Sequence, residues 1–280
     1  MTTVAEMIRE LQTRFSERGI STPRLDAELL IGHVLDCTRA QVLARFPDLL
    51  SEPDLAGLDR LAERRLAGEP MAYILGRKEF LGFDLTVTPA VLTPRPETEL
   101  LVEWAIAWLK DHPGASVVDV GTGSGAIAIG IALGAPAVAS IVAIDISDAA
   151  LDVARENASR LCPGRIAFQT GDLLTGFAGP ADLVLANLPY LRPDQIDGNG
   201  DLAAEPRLAL DGGSNGLDLI TRLIRQLPPV LAPTSAVALE INPSQATDVS
   251  VMLKHALPGT GITVHQDLAG LDRFVTATRI

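Results

Sequence analysis

The sequence has little of what staples or metallates a small fold. Its 280 residues hold two cysteines, Cys37 and Cys162, far apart and in no Cys-x-x-Cys pair. A disulfide framework and a cysteine zinc site are therefore excluded. The four histidines, His33, His112, His255 and His265, show no metal-ligand spacing. Positive charge is scarce: 23 Lys and Arg stand against 35 Asp and Glu, for a net charge of −12, and neither residues 1–92 nor 93–280 carry a basic excess. A protein that grips nucleic acid through its phosphates needs a basic patch, so direct nucleic-acid binding is not expected. Long apolar runs are missing too. The longest, 126–133, is broken by Gly130, where about 20 residues would span a bilayer. The N-terminus, MTTVAEMIRE, has neither the basic region nor the apolar stretch of a signal peptide. The expectation is a soluble, reduced, cytoplasmic protein with no membrane partner.

What is present is ordinary globular material. Hydrophobic residues make up 47%, enough for a core, and a prior of roughly 150 residues per domain gives one large domain or two small ones. The first stretch reads as helices. Val4, Met7, Ile8, Leu11 and Phe15 recur at helical spacing and stop near Gly19. A second run puts Leu25, Leu29, Leu30, His33 and Val34 on one face, which makes His33 a packed residue. A third runs through Leu55, Leu58, Leu61, Ala62 and Leu66 to Gly68. A small helical bundle follows, with no evident chemistry of its own. Alternation over 80–88 predicts a short hairpin. Thr93-Pro94-Arg95-Pro96 then opens a helix over 97–110, with proline and acids at its positive end.

From Ser116 onward strands and helices alternate. Strands are predicted at 117–120, 141–144, 166–169, 183–186, 236–241 and 274–278. Helices are predicted at 124–133, 148–161, 216–227 and 243–257. That order predicts a mainly parallel, doubly wound α/β sheet. Between 191 and 215 lies a long stretch rich in Gly, Asp and Pro; loops of that length are usually functional or disordered.

Four elements carry chemistry. Asp119-Val120-Gly121-Thr122-Gly123-Ser124-Gly125 runs from a strand through a glycine turn into a helix. Such a turn lets backbone approach a ligand and offers free helix N–H groups. Asp145 ends the next strand, placed to accept from ribose hydroxyls. These two elements fit NAD and S-adenosylmethionine equally. Asp172 and Leu173 follow the third strand, where a carboxylate and an apolar side chain can meet an adenine amino group and face; a plain turn acid explains them as well. The fourth element decides. After strand 183–186 comes Asn187-Leu188-Pro189-Tyr190, at the strand ends where open α/β sheets bind ligands. Asn187 brings an amide oxygen, Pro189 holds Leu188 extended so that its carbonyl has a set direction, and Tyr190, one of two tyrosines, brings a flat face. Together they suit a planar group bearing –NH2.

On these motifs the chain resembles the HemK/PrmC family of glutamine methyltransferases. The resemblance runs through Pro70 to Gly76, Thr93-Pro94-Arg95-Pro96-Glu97-Thr98-Glu99, Asp119 to Gly125, Asn187 to Tyr190, Glu205-Pro206 with Ala209-Leu210, and Asp267-Leu268-Ala269-Gly270. It departs at Leu188, where the family's usual motif, Asn-Pro-Pro-Tyr, has proline; leucine keeps the backbone carbonyl. The resemblance implies a class I S-adenosylmethionine-dependent methyltransferase domain, a Rossmann-like doubly wound sheet with an antiparallel last strand, after a small helical N-terminal domain. The implied division is residues 1–78 for release factor docking, a hairpin linker at 79–92 and a catalytic domain at 93–280. The implied activity is methylation, by S-adenosyl-L-methionine, of the side-chain amide nitrogen of the glutamine in the Gly-Gly-Gln motif of peptide chain release factors. Cofactor-binding residues would be Gly121, Thr122, Gly123, Ser124, Gly125, Asp145, Asp172, Leu173 and Asn187. Substrate would meet Asn187, Leu188, Pro189 and Tyr190, with Asn187, Pro189 and Tyr190 catalytic. Arg95, Glu97 and Asp119 are weaker candidates; Arg95 and Glu97 either face the cofactor or only cap a helix. The alternative is an adenine N6 or guanine N2 methyltransferase of DNA or RNA, which shares the motif but not the charge. An NAD-dependent oxidoreductase leaves 187–190 idle, and a non-enzymatic interaction protein explains only the helical N-terminus.

Overall fold

The computed structural model describes residues 1–197 and 202–279. Two compact units form, Met1–Gly76 and Arg77–Ile280.

The first unit is helical: α1 (Val4–Glu17), α2 (Pro23–Val34), α3 (Arg39–Ala44), α4 (Glu52–Leu66) and α5 (Met71–Leu75). Capping boxes start three of them, from Thr3, Thr38 and Ser51, where a hydroxyl and a side chain three residues on satisfy orphan N–H groups reciprocally. Helix α1 buries Val4, Met7, Ile8, Leu11 and Phe15, as its spacing predicts. Helix α2 departs from its predicted face. His33 is exposed, Leu25 is exposed, and the buried side is Asp26, Ala27, Glu28, Leu30 and Ile31. The cause is electrostatic. Glu28 lies between Arg24 (2.8 Å) and Arg39 (2.6 Å), and Asp26 meets Arg65 at 2.8 Å; buried acids with guanidinium partners turn the helix by a step that hydropathy alone does not anticipate. Helices α3 and α5 went unpredicted because six and five residues are too few to show a period.

The second unit opens with the hairpin β1 (Arg77–Phe80) and β2 (Phe83–Thr86). Its turn residues Leu81 and Gly82 have φ of 47° and 80°, the two positive values that a two-residue type I′ turn needs. Helix α6 (Pro96–Lys110) follows. The rest alternates as β3 (Ser116–Val120), α7 (Ala126–Gly134), β4 (Ser140–Asp145), α8 (Asp148–Leu161), β5 (Ala167–Thr170), β6 (Ala181–Ala186), the single turn α9 (Pro193–Ile196), α10 (Asp218–Gln226), β7 (Leu231–Glu240), α11 (Ala246–Ala256), β8 (Gly261–Gln266) and β9 (Asp272–Arg279). The seven strands lie in the order β5-β4-β3-β6-β7-β9-β8. Pairing is parallel from β5 to β7, and β9 is antiparallel to both neighbours. This is the expected doubly wound sheet with an antiparallel last strand. Strand β8 went unpredicted because its burial pattern is mostly exposed, as an edge strand allows, so no apolar run marks it. The predicted loop at 191–215 is partly structured: besides α9 it holds a 3-10 turn at Arg207–Ala209 and a parallel bridge from Leu191 to Asp211. Residues 198–201 of that stretch lie outside the described residues.

Both faces of the sheet are covered. Val117, Leu183, Leu185, Ala236 and Ala238 pack into one cluster with α6, α7 and the hairpin's Phe80 and Leu85. Val118, Val120, Val184, Ala186, Val237 and Leu239 pack into another with α10 and α11. A strand buried on two sides reads as a continuous apolar run, which is why these strands stand out in the sequence. Among the described residues no helix is long and apolar enough to cross a membrane.

Polar residues are buried in this core too, Asp119 the deepest of its acids. Asp119, on β3, is fully buried. Its Oδ2 accepts from Thr122 Oγ1 at 2.6 Å and from the Ala128 N–H at 3.2 Å. Ala128 is the third residue of α7, whose N-cap is Gly125; Asp119 thus supplies from the sheet the acceptor that a glycine cap lacks. Burial outweighs these bonds and pushes its pKa up to about 7. An unfolded aspartate ionises near ~3.9, so the stability this carboxyl contributes is present in acid and is lost as pH rises toward about 7. Asp119→Asn should therefore gain melting temperature relative to the parent as pH rises from 5 to 8. Thermal unfolding at both values measures this, and a difference independent of pH would refute it.

Candidate functional site

Five strand ends converge on one edge of the sheet. There β3 runs into Gly121, β4 ends at Asp145, β5 runs into Gly171, β6 into Asn187, and β7 ends at Glu240. The chain winds outward from β3 to β5 and then returns to place β6 beside β3. Open sheets bind ligands where winding reverses in this way. The register Val120↔Ala186 sets Gly121 next to Asn187.

A cavity of about 470 Å³ opens at this point. Gly121, Thr122, Gly123 and Ser124 form its floor, and Asp145, Asp172 and Leu173 one side; Asn187, Leu188 and Pro189 form another. The glycine turn is shaped by contact as much as by φ. Gly121 has φ 74°, and a Cβ there would stand 2.9 Å from Leu188 Cδ2. Gly125 does not line the cavity. It is glycine because its φ of 84° is left-handed, and a Cβ would also press on Ile129 at 3.1 Å and Ala154 at 3.3 Å. Asp119 also stays out of the cavity, beneath the turn.

The acids of the cavity differ in how they are held. Asp145 Oδ2 accepts from the Gly123 N–H and Oδ1 from the Ser147 N–H, both at 2.9 Å. Burial raises its pKa in spite of those bonds. Each oxygen has a further lone pair. Asp172 is ion-paired with Arg222, a partner 50 residues on in the chain that also lines the cavity. Leu173 is buried with φ 56°, a left-handed conformation unusual for leucine, and it turns its side chain inward.

A second cavity, about 280 Å³, adjoins the first. Asn187, Leu188 and Arg95 line both. Glu97, Tyr190, Leu191 and Leu202 line the second alone. The two readings of Arg95 therefore merge: it is the N-cap position of α6, without a side-chain cap bond, and its guanidinium faces the cavities, 2.8 Å from the buried Glu205. Burial raises the Glu205 pKa and Arg95 opposes it. Glu97 meets Arg273 at 3.3 Å, and Arg273 meets Asp267 at 2.7 Å, so the turn at 267–270 is tied to the second cavity.

Two residues of this edge escaped the sequence reading. Thr98 Oγ1 accepts from Asn187 Nδ2 at 3.0 Å, and Glu240 Oε1 accepts from the Tyr190 hydroxyl at 3.3 Å. The rule that picks out Asp145, an acid closing an apolar strand at the ligand edge, picks out Glu240 equally well. Among the described residues no group of His, Cys, Asp and Glu side chains could hold a metal ion.

Known proteins resemble this chain in sequence and in fold. Residues 6–76 match the model of the PrmC N-terminal domain, and residues 111–245 match that of a methyltransferase domain. The release factor glutamine methyltransferase of Bordetella pertussis is 44% identical over 257 residues, 90% of this chain and 93% of the relative. That of Moorella thermoacetica is 38% identical over 280 residues, 99% of each chain. In fold alone, a ribosomal protein L11 methylase from Lactobacillus delbrueckii subsp. bulgaricus gives a TM-score of 0.51 at 24% identity, over 69% of this chain and 83% of that one. Identity at this level over nearly the whole length settles the relationship: the chain belongs to the release factor glutamine methyltransferase family.

Proposed function

We propose that this protein transfers a methyl group from S-adenosylmethionine to the side-chain amide nitrogen of the glutamine in the Gly-Gly-Gln motif of a peptide chain release factor, in the cytoplasm. The observation that carries the reading is the position of Asn187 and Leu188 in the wall common to both cavities. A donor in the first and an amide in the second would meet at that wall.

The first cavity suits the donor. Its volume, about 470 Å³, falls in the range of roughly 300–1,000 Å³ for small-molecule sites. Gly121, Thr122, Gly123 and Ser124 bring backbone close to the ligand, Asp145 offers carboxylate oxygens to ribose hydroxyls, and Leu173 offers an apolar face to adenine. Asp172, held by Arg222, stands at the adenine end. Gly125 and Asp119 support the turn from beneath. When bound, S-adenosylmethionine supplies an electrophilic methyl carbon on a cationic sulfur.

The chain's own residues then have an orienting task. An amide nitrogen is a poor nucleophile, because its lone pair is shared with the carbonyl, so in-line placement is the main contribution. Asn187 Nδ2 is committed to Thr98, which leaves Oδ1 as an acceptor. Oδ1 and the Leu188 carbonyl accept the two amide hydrogens, and Tyr190 packs on the plane of the group. Positive charge that develops on nitrogen is stabilised by these pre-aimed oxygens. The amide proton becomes acidic as the bond forms and passes late to water, so no strong base is required. Arg95 and Glu97 line the substrate side. The net charge of −12 favours a protein substrate over nucleic acid, and the helical first unit is the docking element for it.

Incubation with S-adenosylmethionine and a release factor should add one methyl group to the Gly-Gly-Gln glutamine, read by peptide mass spectrometry; an unmodified glutamine would reject the activity. Asn187→Ala should keep donor affinity and lose methyl transfer by about a hundredfold, the scale of removing one preorganised transition-state contact. In Gly121→Ala the left-handed φ costs about 1–2 kcal/mol and the new Cβ displaces Leu188. Because the displaced Leu188 lines the donor cavity, calorimetry should find donor binding weakened, and unchanged affinity would argue against a donor seated on this turn.

A further inference from the structure

Three loops of the ligand edge meet at one side chain that the proposed chemistry does not use. Gln245, in the 3-10 turn between β7 and α11, is buried and lines neither cavity. Its Nε2 donates to the Tyr190 carbonyl at 3.1 Å and to the Gly216 carbonyl at 3.0 Å. Its Oε1 accepts from the Asn242 N–H at 3.0 Å. All three partners are backbone groups of fixed character, so the amide has one orientation only. The reverse would set an oxygen against two carbonyl oxygens, in a place where an unmade bond is costly.

The peptide between Tyr190 and Leu191 is held at both edges. Gln245 takes its carbonyl, and its N–H, that of Leu191, donates to the Leu210 carbonyl at 3.0 Å. Backbone packs directly against this stretch. A Cβ on Gly212 would stand 2.6 Å from the Pro189 oxygen and 2.8 Å from the Tyr190 Cα, and one on Gly216 would collide with the Tyr190 oxygen and stand 2.7 Å from Gln245 Nε2. Two glycines thus leave room for the corner and its clamp. Tyr190 and Leu191 line the second cavity, so the clamp fixes the backbone that carries the Tyr190 ring; the ring's hydroxyl is held separately, by Glu240 at 3.3 Å. We infer that Gln245 is a positioning residue for methyl transfer, which ties the Tyr190 carbonyl to the Gly216 loop and so sets the aromatic end of the 187–190 corner. The inference rests on the activity proposed above.

The Gln245→Glu variant separates this hydrogen bonding from packing. The side chain keeps its length, and one oxygen can still accept from the Asn242 N–H. Ionised, the other oxygen faces two carbonyl oxygens and the clamp is open. Protonated, it donates one hydrogen and the clamp partly closes. Burial among acceptors raises such a carboxyl above its usual value of about 4.3, so the neutral form grows as pH drops from 8 to 6. Gln245→Met has a similar length and no hydrogen to donate at any pH.

Both variants are compared with the parent on the same release factor. At pH 8 each should lower kcat at least about tenfold, the scale of a buried polar group left unpaired. Their S-adenosylmethionine affinity should stay within about twofold, because Tyr190 and Leu191 do not line the first cavity. The kcat of Gln245→Glu relative to the parent should rise from pH 8 to pH 6, by up to about tenfold per pH unit, and that of Gln245→Met should stay level. Titrations that the proteins share, those of Glu240 and Asp145 included, cancel in these ratios. A parental kcat at pH 8 in either variant overturns the inference. So does a slow Gln245→Glu whose ratio to the parent ignores pH, because a packing defect has no proton to regain. If Gln245→Met fails to fold, the pH dependence of Gln245→Glu still decides. If Gln245→Glu fails to fold at both pH values, the residue is a core element and the inference falls. Absence of transfer by the parent protein would reject the activity itself.

Discussion

The parallel pairing of β3 with β6, in register from Val117↔Leu183 to Val120↔Ala186, is the constraint on which the site depends. These strands are 66 residues apart at their paired positions, and the intervening chain passes through β4 and β5 before it returns. The pairing brings the glycine turn beside the 187–190 corner. One step of register would turn every side chain of β6 to the opposite face. That step is forbidden by packing: Leu183 and Leu185 belong to one buried cluster, and Val184 and Ala186 to the other. Burial on both faces thus fixes, to within one residue, where an amide group stands relative to a turn built for a ligand.

Much of this was legible in the sequence because the signals were local. The β3, β4 and β6 strands are short apolar runs, the glycine turn follows β3 directly, and Asn187 to Tyr190 are consecutive. What was not legible depended on partners distant in the chain. Glu28 draws α2 onto its acidic side through Arg39, and His33 is left in solvent. Strand β8 owes its place to β9 rather than to any apolar pattern of its own. Asp172 looked free in sequence, and Arg222 holds it. Thr98 lies 89 residues from Asn187, and Tyr190 lies 50 residues from Glu240. No spacing rule links such positions; only the fold does.

The buried acids fall into two kinds. In the helical unit, Asp26 and Glu28 are neutralised by guanidinium groups and serve the packing of helices. At the sheet edge, Asp119 and Asp145 are held mainly by hydroxyl and backbone N–H donors, and Glu240 by Tyr190. Burying an acid without a full counter-charge lowers stability. The sheet core could be apolar throughout, yet these acids stand where strands end beside the two cavities. Polar groups with opposed environments gathered at one edge are the usual mark of a site whose function outweighs its cost in stability.

Leu188 has a consequence of its own. Its side chain rests over Gly121 and borders both chambers, so it is a partition as well as a link in the corner. Bulk at position 121 is open only to a chain with something shorter at 188. Replacing this leucine with the proline of the usual motif would withdraw the isobutyl group from the glycine and from the border of both chambers. Leu188 shares that border with Leu92, Arg95, Asn187 and Ala209, so a change of its side chain reshapes the boundary while the carbonyl at 188 stays in the backbone.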